Sequence, residues 1–404
     1  MKRVLSFYLH SFRGLSREVW ILSIVILINR SGMMVLPFLA LYSTNELGFS
    51  IARAGIVTGM YGAGSLLGSW LGGMLTDRIG FYKVLSRSLI LGGIGMASLI
   101  FFRDYYLLCI AVFVTSTIAD ASRPPLMAAI SLFSKPENQT RAISLVRMAL
   151  NLGISIGPAM AGFLAGNVGY NWLFILDGIT CIGAALFLIL QLRPDHRKTS
   201  KKSTTVNESE VTITSDWLYM VFLIVTGINI IAFIQILSTV PLFFQEELLM
   251  NETQIGIFFT FNGLLVFFFE MPLVAYSQKK WNPFTSMILG AVLISLGHLF
   301  LNLPLHWILV VAGYNFLVSF GEIINFPFGN SLSLARAPDA QKGKYMGLWA
   351  MMFSSAFIIA PILGTQLVEA SGFFNTWFII AGMSFAMVPG FIWIRRRWSL
   401  DTYR

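Results

Sequence analysis

Twelve apolar runs, each long enough to cross a bilayer, take up most of this 404-residue chain. They lie at about 19–42, 52–75, 84–102, 105–129, 142–166, 171–192, 216–245, 254–276, 283–303, 305–334, 344–369 and 374–394. An α-helix rises about 1.5 Å per residue, so ~20 apolar residues span a hydrocarbon layer of roughly 30 Å. Backbone groups in that layer find no water, and runs of this length satisfy them only as helices. The runs therefore predict an all-α membrane protein with twelve transmembrane helices. Arg193 to Ser215, rich in Lys, Ser, Thr and Glu, interrupts the series after the sixth run and reads as a flexible cytoplasmic linker. It divides the chain into an N-terminal six-helix bundle (1–192), the linker (193–215) and a C-terminal six-helix bundle (216–404).

Charge sets the expected orientation. Of the 28 Lys and Arg, all but Arg30, Arg53, Arg103 and Arg123 fall at one set of helix ends, together with the linker and the Arg395–Arg397 tail. Basic residues favour the cytoplasmic side, so both termini are expected there. The same pattern answers the net charge of +9: the basic residues form no single stripe, and nucleic acid is not an expected partner. The first 20 residues are basic and amphipathic and show no cleavage site, so a removed leader is not expected; they read either as a segment on the membrane surface or as a basic leader that fixes orientation. Cys109 and Cys181 both sit in apolar runs, which predicts two buried thiols and no metal site. No nucleophile–base set or nucleotide loop is present in the sequence, which argues against an enzyme, and Gly64, Gly68 and Gly72 read as helix packing.

The two halves repeat each other. Thr140 to Pro158 aligns with Gly343 to Pro361 without a gap, pairing Arg141 with Lys344, Met148 with Met351 and Pro158 with Pro361. The same offset of 203 residues pairs Pro124 with Pro327 and Ala119 with Glu322. Internal duplication of this kind is typical of secondary transporters.

Between the second and third runs the chain reads Gly73-Met-Leu-Thr-Asp77-Arg78-Ile-Gly80-Phe-Tyr-Lys83, the densest polar patch of the first hundred residues and an expected tight loop. It resembles the loop G-x-L-A-D-R-x-G-R-K of the Major Facilitator Superfamily, with Thr76 for the usual alanine and Phe81-Tyr82 for the usual basic pair. The fifth run, Gly153-Ile-Ser-Ile-Gly157-Pro158-Ala-Met-Ala161-Gly162, resembles the GxxxGPxxGG motif of mostly proton-driven exporters. Gly321-Glu322 and Pro327 in the tenth run, with Gly343 opening the eleventh, are similar to bacterial drug:proton antiporters. The resemblance implies two pseudo-symmetric six-helix halves rocking about a central site, a monomer in the bacterial inner membrane, and the proton as coupling ion with no other cofactor. It also implies a gating role for Gly73, Asp77, Arg78, Gly80, Lys83, Gly153, Gly157 and Pro158, with Asp77 bracing against the start of the eleventh helix.

Ionisable residues inside a membrane are costly and mark function by default. Glu322 is the first candidate for proton coupling, since a carboxyl stripped of hydration there takes up and releases a proton near neutral pH. Asp120 and Glu270 are further proton-coupling candidates. Arg123, one turn from Asp120, is expected either to neutralise it or to meet substrate. Arg30 either holds an anionic substrate group, exchanges between carboxylates or forms a fixed pair, with Glu322 as its partner in that last case. Asn29, Met33 and Met34 join Arg30 and Arg123 as substrate-binding candidates, and Phe38, Phe261 and Phe267 to Phe269 are expected to shape an apolar pocket. Asp177 is expected to be mostly solvated, His298 to be packed or interfacial, and Arg147 to snorkel. The expected function is proton-coupled efflux of amphipathic or drug-like small molecules. The alternative is proton-coupled uptake of a small nutrient such as a peptide, sugar or siderophore; the peptide-permease signature is missing around Ile28-Asn29-Arg30-Ser31-Gly32.

Overall fold

A computed structural model describes residues 15–134, 139–192, 216–338 and 341–398. The leader before residue 15 and the linker at 193–215 lie outside the described residues, as does the Arg147 side chain. Among the described residues the regular structure is helical, with no strand. In chain order the helices are α1 (Arg17–Ser31), α2 (Val35–Asn45), α3 (Ile51–Ile79), α4 (Phe81–Ser98), α5 (Tyr105–Asp120), α6 (Arg123–Phe133) and α7 (Gln139–Asn167). They continue as α8 (Asn171–Gln191), α9 (Trp217–Ile234), α10 (Thr239–Glu246), α11 (Glu252–Lys280), α12 (Pro283–Phe300), α13 (Trp307–Arg336) and α14 (Lys342–Arg397).

These helices account for the twelve runs, and their ends agree with the sequence reading to within four residues. Among the described residues ten stretches are long and apolar enough to cross a membrane, as an integral membrane protein requires. α3 is as long but carries seven glycines, which contribute little apolar surface. α14 is two spans joined at Gly372, whose φ of 77° is open to glycine and breaks the helix there. The first span is α1 and α2, the fourth is α5 and α6, and the seventh is α9 and α10, each pair interrupted near its middle. The break at Gly32 and the one beginning at Gln235 are 203 residues apart, the offset of the sequence repeat.

The helices form two compact units. Among the described residues, one comprises 15–38, 60–192 and 251–263; the other comprises 39–59, 216–250 and 264–398. The core of the first is aliphatic, built on Val19, Leu22, Leu85, Leu145 and Leu188. In the second, Phe222 packs against Phe284, Trp349 and Trp398 at ring separations of 5.2 to 6.3 Å. Large apolar side chains such as Trp70, Phe101, Leu190 and Phe268 remain outside, as lipid-facing residues do.

A polar clasp closes one end of the second unit. Asp216 caps α9 by accepting from Tyr219 N–H at 3.2 Å. Its carboxylate also takes a two-pronged bond from Arg336 at 2.9 and 2.8 Å and one from Tyr345 Oη at 2.8 Å. The Arg336 guanidinium lies 4.7 Å from the Trp398 ring, so α9, α13 and both ends of α14 meet at one carboxylate. Burial alone would raise the Asp216 carboxyl, but the Arg336 and Tyr345 bonds outweigh it and hold it below the usual carboxylate range. A depressed carboxyl contributes stability above its unfolded-state value and loses it as pH falls through the folded value. Asp216→Asn keeps a competent cap and removes the charge under Arg336. We expect it to cost roughly 1–3 kcal/mol at neutral pH, with the gap to wild type closing on acidification through the carboxylate range. Thermal melts across that range check this.

Candidate functional site

The break in the first span organises the first unit. α1 stops at Ser31 and α2 starts at Val35, which leaves the first N–H groups of α2 without helical partners. Asp177 of α8 accepts from two of them, Met34 N–H at 3.3 Å and Val35 N–H at 3.4 Å. An anion at a helix N-terminus is favoured by the backbone dipoles. Asp177 is therefore buried, 5% exposed, and not solvated as its position near a helix end suggested. The sequence signal for the break was available in Gly32 and Pro37. Asn29 donates to Cys181 Sγ at 3.2 Å, and that thiol faces Asp177 at 3.7 Å.

Arg30 occupies the last turn of α1, just before this break. The fifth-span motif holds it there. A Cβ on Gly153 of α7 would meet Arg30 Cβ at 2.6 Å, and one on Gly157 would meet the Arg30, Ser31 and Met33 carbonyls at 3.2 Å. The glycines let α7 lie directly against the backbone that carries Arg30. One Arg30 amino group contacts Met33 Sδ at 3.4 Å, while its Nε is buried and unpartnered. Met34 and Phe38 are fully buried, and the Phe38 ring lies 6.4 Å from Phe259.

The fourth span breaks where its charges sit. Asp120 is the last residue of α5 and Arg123 the first of α6, followed by Pro124 and Pro125, which cannot donate to the preceding turn. Arg123 Nε donates to Asp120 Oδ1 at 2.8 Å, with Asp120 nearly buried and Arg123 43% exposed along its side chain. The other carboxylate oxygen, Oδ2, is buried and unpartnered. Arg123 and Asp120 are the charges that act most on Arg30, and Tyr61 of α3 lies in the same field. The structure thus brings Arg30, Asp120, Arg123 and Tyr61 together, at two helix breaks.

The second unit holds a different set. Glu322 is half-buried on α13, and the charge acting on it is Glu270 of α11, a second carboxylate. No salt bridge to Glu322 is present among the described residues. Two carboxylates repel when both are ionised, and a proton held by one relieves that repulsion. Pro272 and Pro327 interrupt the hydrogen-bond ladders just beyond the two residues. Elsewhere in this unit His298 is fully buried, its Nδ1 2.9 Å from the Ile294 carbonyl and its ring against Tyr314 and Trp377. It is a packed residue. An apolar groove lined by Leu273, Leu293, Phe316 and Phe320 carries no acidic or basic side chain. Phe261, Phe268 and Phe269 are exposed on α11, with Phe267 half-buried.

The polar patch at Gly73–Lys83 is mostly helix, not the tight loop expected. α3 runs on to Ile79, so Asp77 and Arg78 sit exposed on its last turn, and Gly80 alone makes the turn with a φ of 86°. Lys83 is exposed on the first turn of α4, and a Cβ on Gly73 would meet open space.

Twelve membrane-length helices, repeat-related breaks and buried charges at those breaks describe a transporter scaffold. The sequence profile of the Major Facilitator Superfamily matches residues 19–339. The chain belongs to that superfamily. Among its superfamily relatives is the multidrug resistance protein MdtH of Aeromonas salmonicida (strain A449), 22% identical over 78% of each chain. Another is a Na(+), Li(+), K(+)/H(+) antiporter of Planococcus maritimus, 23% identical over 93% of each. A crystal structure of a POT family transporter in complex with 5-aminolevulinic acid superposes with a TM-score of 0.81, covering 97% of this chain and 98% of that one at 16% identity. At that identity the likeness shows the superfamily fold alone.

Proposed function

We propose that this superfamily transporter couples solute movement to protons, exporting amphipathic or drug-like small molecules by alternating access as a monomer in the bacterial inner membrane. The observation that carries proton coupling is the Glu322–Glu270 pair, two interacting carboxylates on proline-interrupted helices at membrane depth. A site of this kind binds one proton readily and gives it up when its surroundings change. Export is supported by the relatives, one named for multidrug resistance and one for exchange of cations against protons. Asp120 has a standing partner in Arg123 and is a secondary proton site in this reading.

Uptake with protons is the second reading. The buried Arg30 favours it, because a fixed guanidinium at membrane depth opposes cationic drugs. The POT family neighbour shares the fold.

Proteoliposomes holding a trapped pH-sensitive dye, with no initial proton gradient, separate the two. Cationic drugs, dipeptides and sugars are added outside. Export by antiport predicts alkalinisation of the lumen as protons leave in exchange for entering solute. Acidification establishes symport, and no change with any compound removes the support for proton coupling.

A further inference from the structure

We propose that the groove between α11, α12 and α13 binds an anionic phospholipid, with one acyl chain in the groove and the headgroup phosphate on Lys279 and Lys280. This goes beyond the transport reading above, which uses none of these residues.

The groove lies within the second unit, has a volume of about 320 Å³, and is walled by Leu273, Trp281, Leu293, Phe316, Phe320 and Ile324. The internal repeat explains why a gap exists there. In the first unit a Cβ on Gly64, Gly68 or Gly72 of α3 would run into the Phe113, Thr117 and Ala121 carbonyls of α5, so those helices touch backbone to backbone. At the 203-residue offset, Phe113, Thr117 and Ala121 correspond to Phe316, Phe320 and Ile324. Leu47–Gly55 and Leu248–Gly256 share their spacing at an offset of 201, which places Phe269 and Leu273 where α3 has Gly68 and Gly72. Large side chains thus replace the glycine seam and hold α11 off α13. The Phe320 ring meets Phe269 at 5.6 Å and stacks on Phe316 at 6.1 Å with planes 8° apart, and Phe316 is 44% exposed. The groove is an open apolar slot.

Its length and its mouth select the occupant. Leu293 lies ten residues into α12 from Pro283, about 15 Å, which is half of a hydrocarbon layer of roughly 30 Å. The slot therefore runs from the membrane surface to the midplane, the reach of one leaflet's acyl chain. Trp281 stands at the surface end, with the Tyr276 ring edge-on at 6.0 Å, a placement typical of aromatic residues at headgroup level. Lys280 Nζ donates to Tyr276 Oη at 2.8 Å, which uses one of its three N–H groups, and Lys279 is exposed beside it. The 201-residue offset puts Gln278 where the first half has Asp77, and no Asp or Glu occurs between residues 271 and 321. The mouth carries positive charge alone, and basic residues at the end of a span attract anionic headgroups.

The test uses the purified full chain in detergent and phosphatidylglycerol with a photoactivatable diazirine midway along one acyl chain, the cross-linked residues being mapped by mass spectrometry. Cross-links are expected to concentrate on the groove residues of α11, α12 and α13. Unlabelled phosphatidylglycerol is expected to compete roughly tenfold better than phosphatidylcholine with the same chains. Changing Lys279→Gln and Lys280→Gln together, both on exposed side chains, is expected to remove that preference, while Arg87→Gln on α4 keeps it. Leu293→Trp fills the slot and is expected to lose the groove cross-links with either lipid. If Leu293→Trp does not fold, the wild-type map and the double lysine variant decide. Cross-links spread evenly over lipid-facing residues such as Phe101 and Leu190 would overturn the site. Equal competition by the two lipids, or a preference unchanged in the double variant, overturns the headgroup assignment. Glycerophosphoglycerol, the headgroup without chains, competing as well as the lipid overturns the acyl-chain assignment. A lipid-free dimer cross-linked through the groove gives the slot to a second copy of the chain and overturns the lipid.

Discussion

Glu322→Gln is expected to abolish proton-driven transport while leaving the protein folded. Glutamine has the shape and hydrogen-bonding reach of protonated glutamate, so it mimics one state of the carrier and cannot reach the other. Glu270 acts on Glu322 directly, so the two should not behave independently. Glu270→Gln is expected to reduce proton coupling less. The double variant is expected to match Glu322→Gln, since the second change removes an influence on a group already lost. Solute exchange at equal pH on both sides should survive in Glu322→Gln, because it needs no net proton movement. Flux assays with and without an imposed pH gradient read both quantities, and gradient-driven transport at the wild-type rate would take Glu322 out of the mechanism.

Gly256→Leu is expected to stop transport for a different reason. α7 and α11 cross with backbone against backbone. A Cβ on Gly256 would meet the Pro158 carbonyl oxygen at 2.7 Å and Gly162 Cα at 2.9 Å, and neither atom can rotate away. A branched side chain there forces the helices apart, where overpacking costs about 1–3 kcal/mol. The loss should appear both as a lower melting temperature and as transport at background. The matched control is Gly347→Ala, where a Cβ meets nothing within 4 Å and removing a helical glycine is neutral or mildly favourable. If Gly256→Leu transports normally, this crossing is not needed for the cycle.

The sequence revealed the helices well because a bilayer makes hydropathy nearly sufficient: every membrane-length run is helical, three of them with a break that hydropathy does not show. The charges carried inside the apolar runs could also be named in advance, since Arg30, Asp120, Arg123, Glu270 and Glu322 stand out there. Apart from the Asp120–Arg123 pair, their partners could not. Asp177 was misplaced because depth along a helix says nothing of what packs against it, and its partners are N–H groups that exist only because the first span breaks. The charge acting on Glu322 is Glu270, 52 residues away on another helix, and no spacing announces that. Asp216 lies more than a hundred residues from both Arg336 and Tyr345 along the chain and no periodicity links it to them. The break between Asp120 and Arg123 was signalled by Pro124-Pro125, and the salt bridge across it is local, between residues three apart, as the sequence allowed.

The compact units do not coincide with a cut of the chain at its linker. Residues 251–263 belong with the first unit, and residues 39–59 with the second. Two polypeptides divided between 192 and 216 would therefore each lack a stretch of its compact unit that the other carries. Co-expressed as separate fragments, they should be degraded singly and rescue each other when made together, since each supplies helix tips that complete its counterpart.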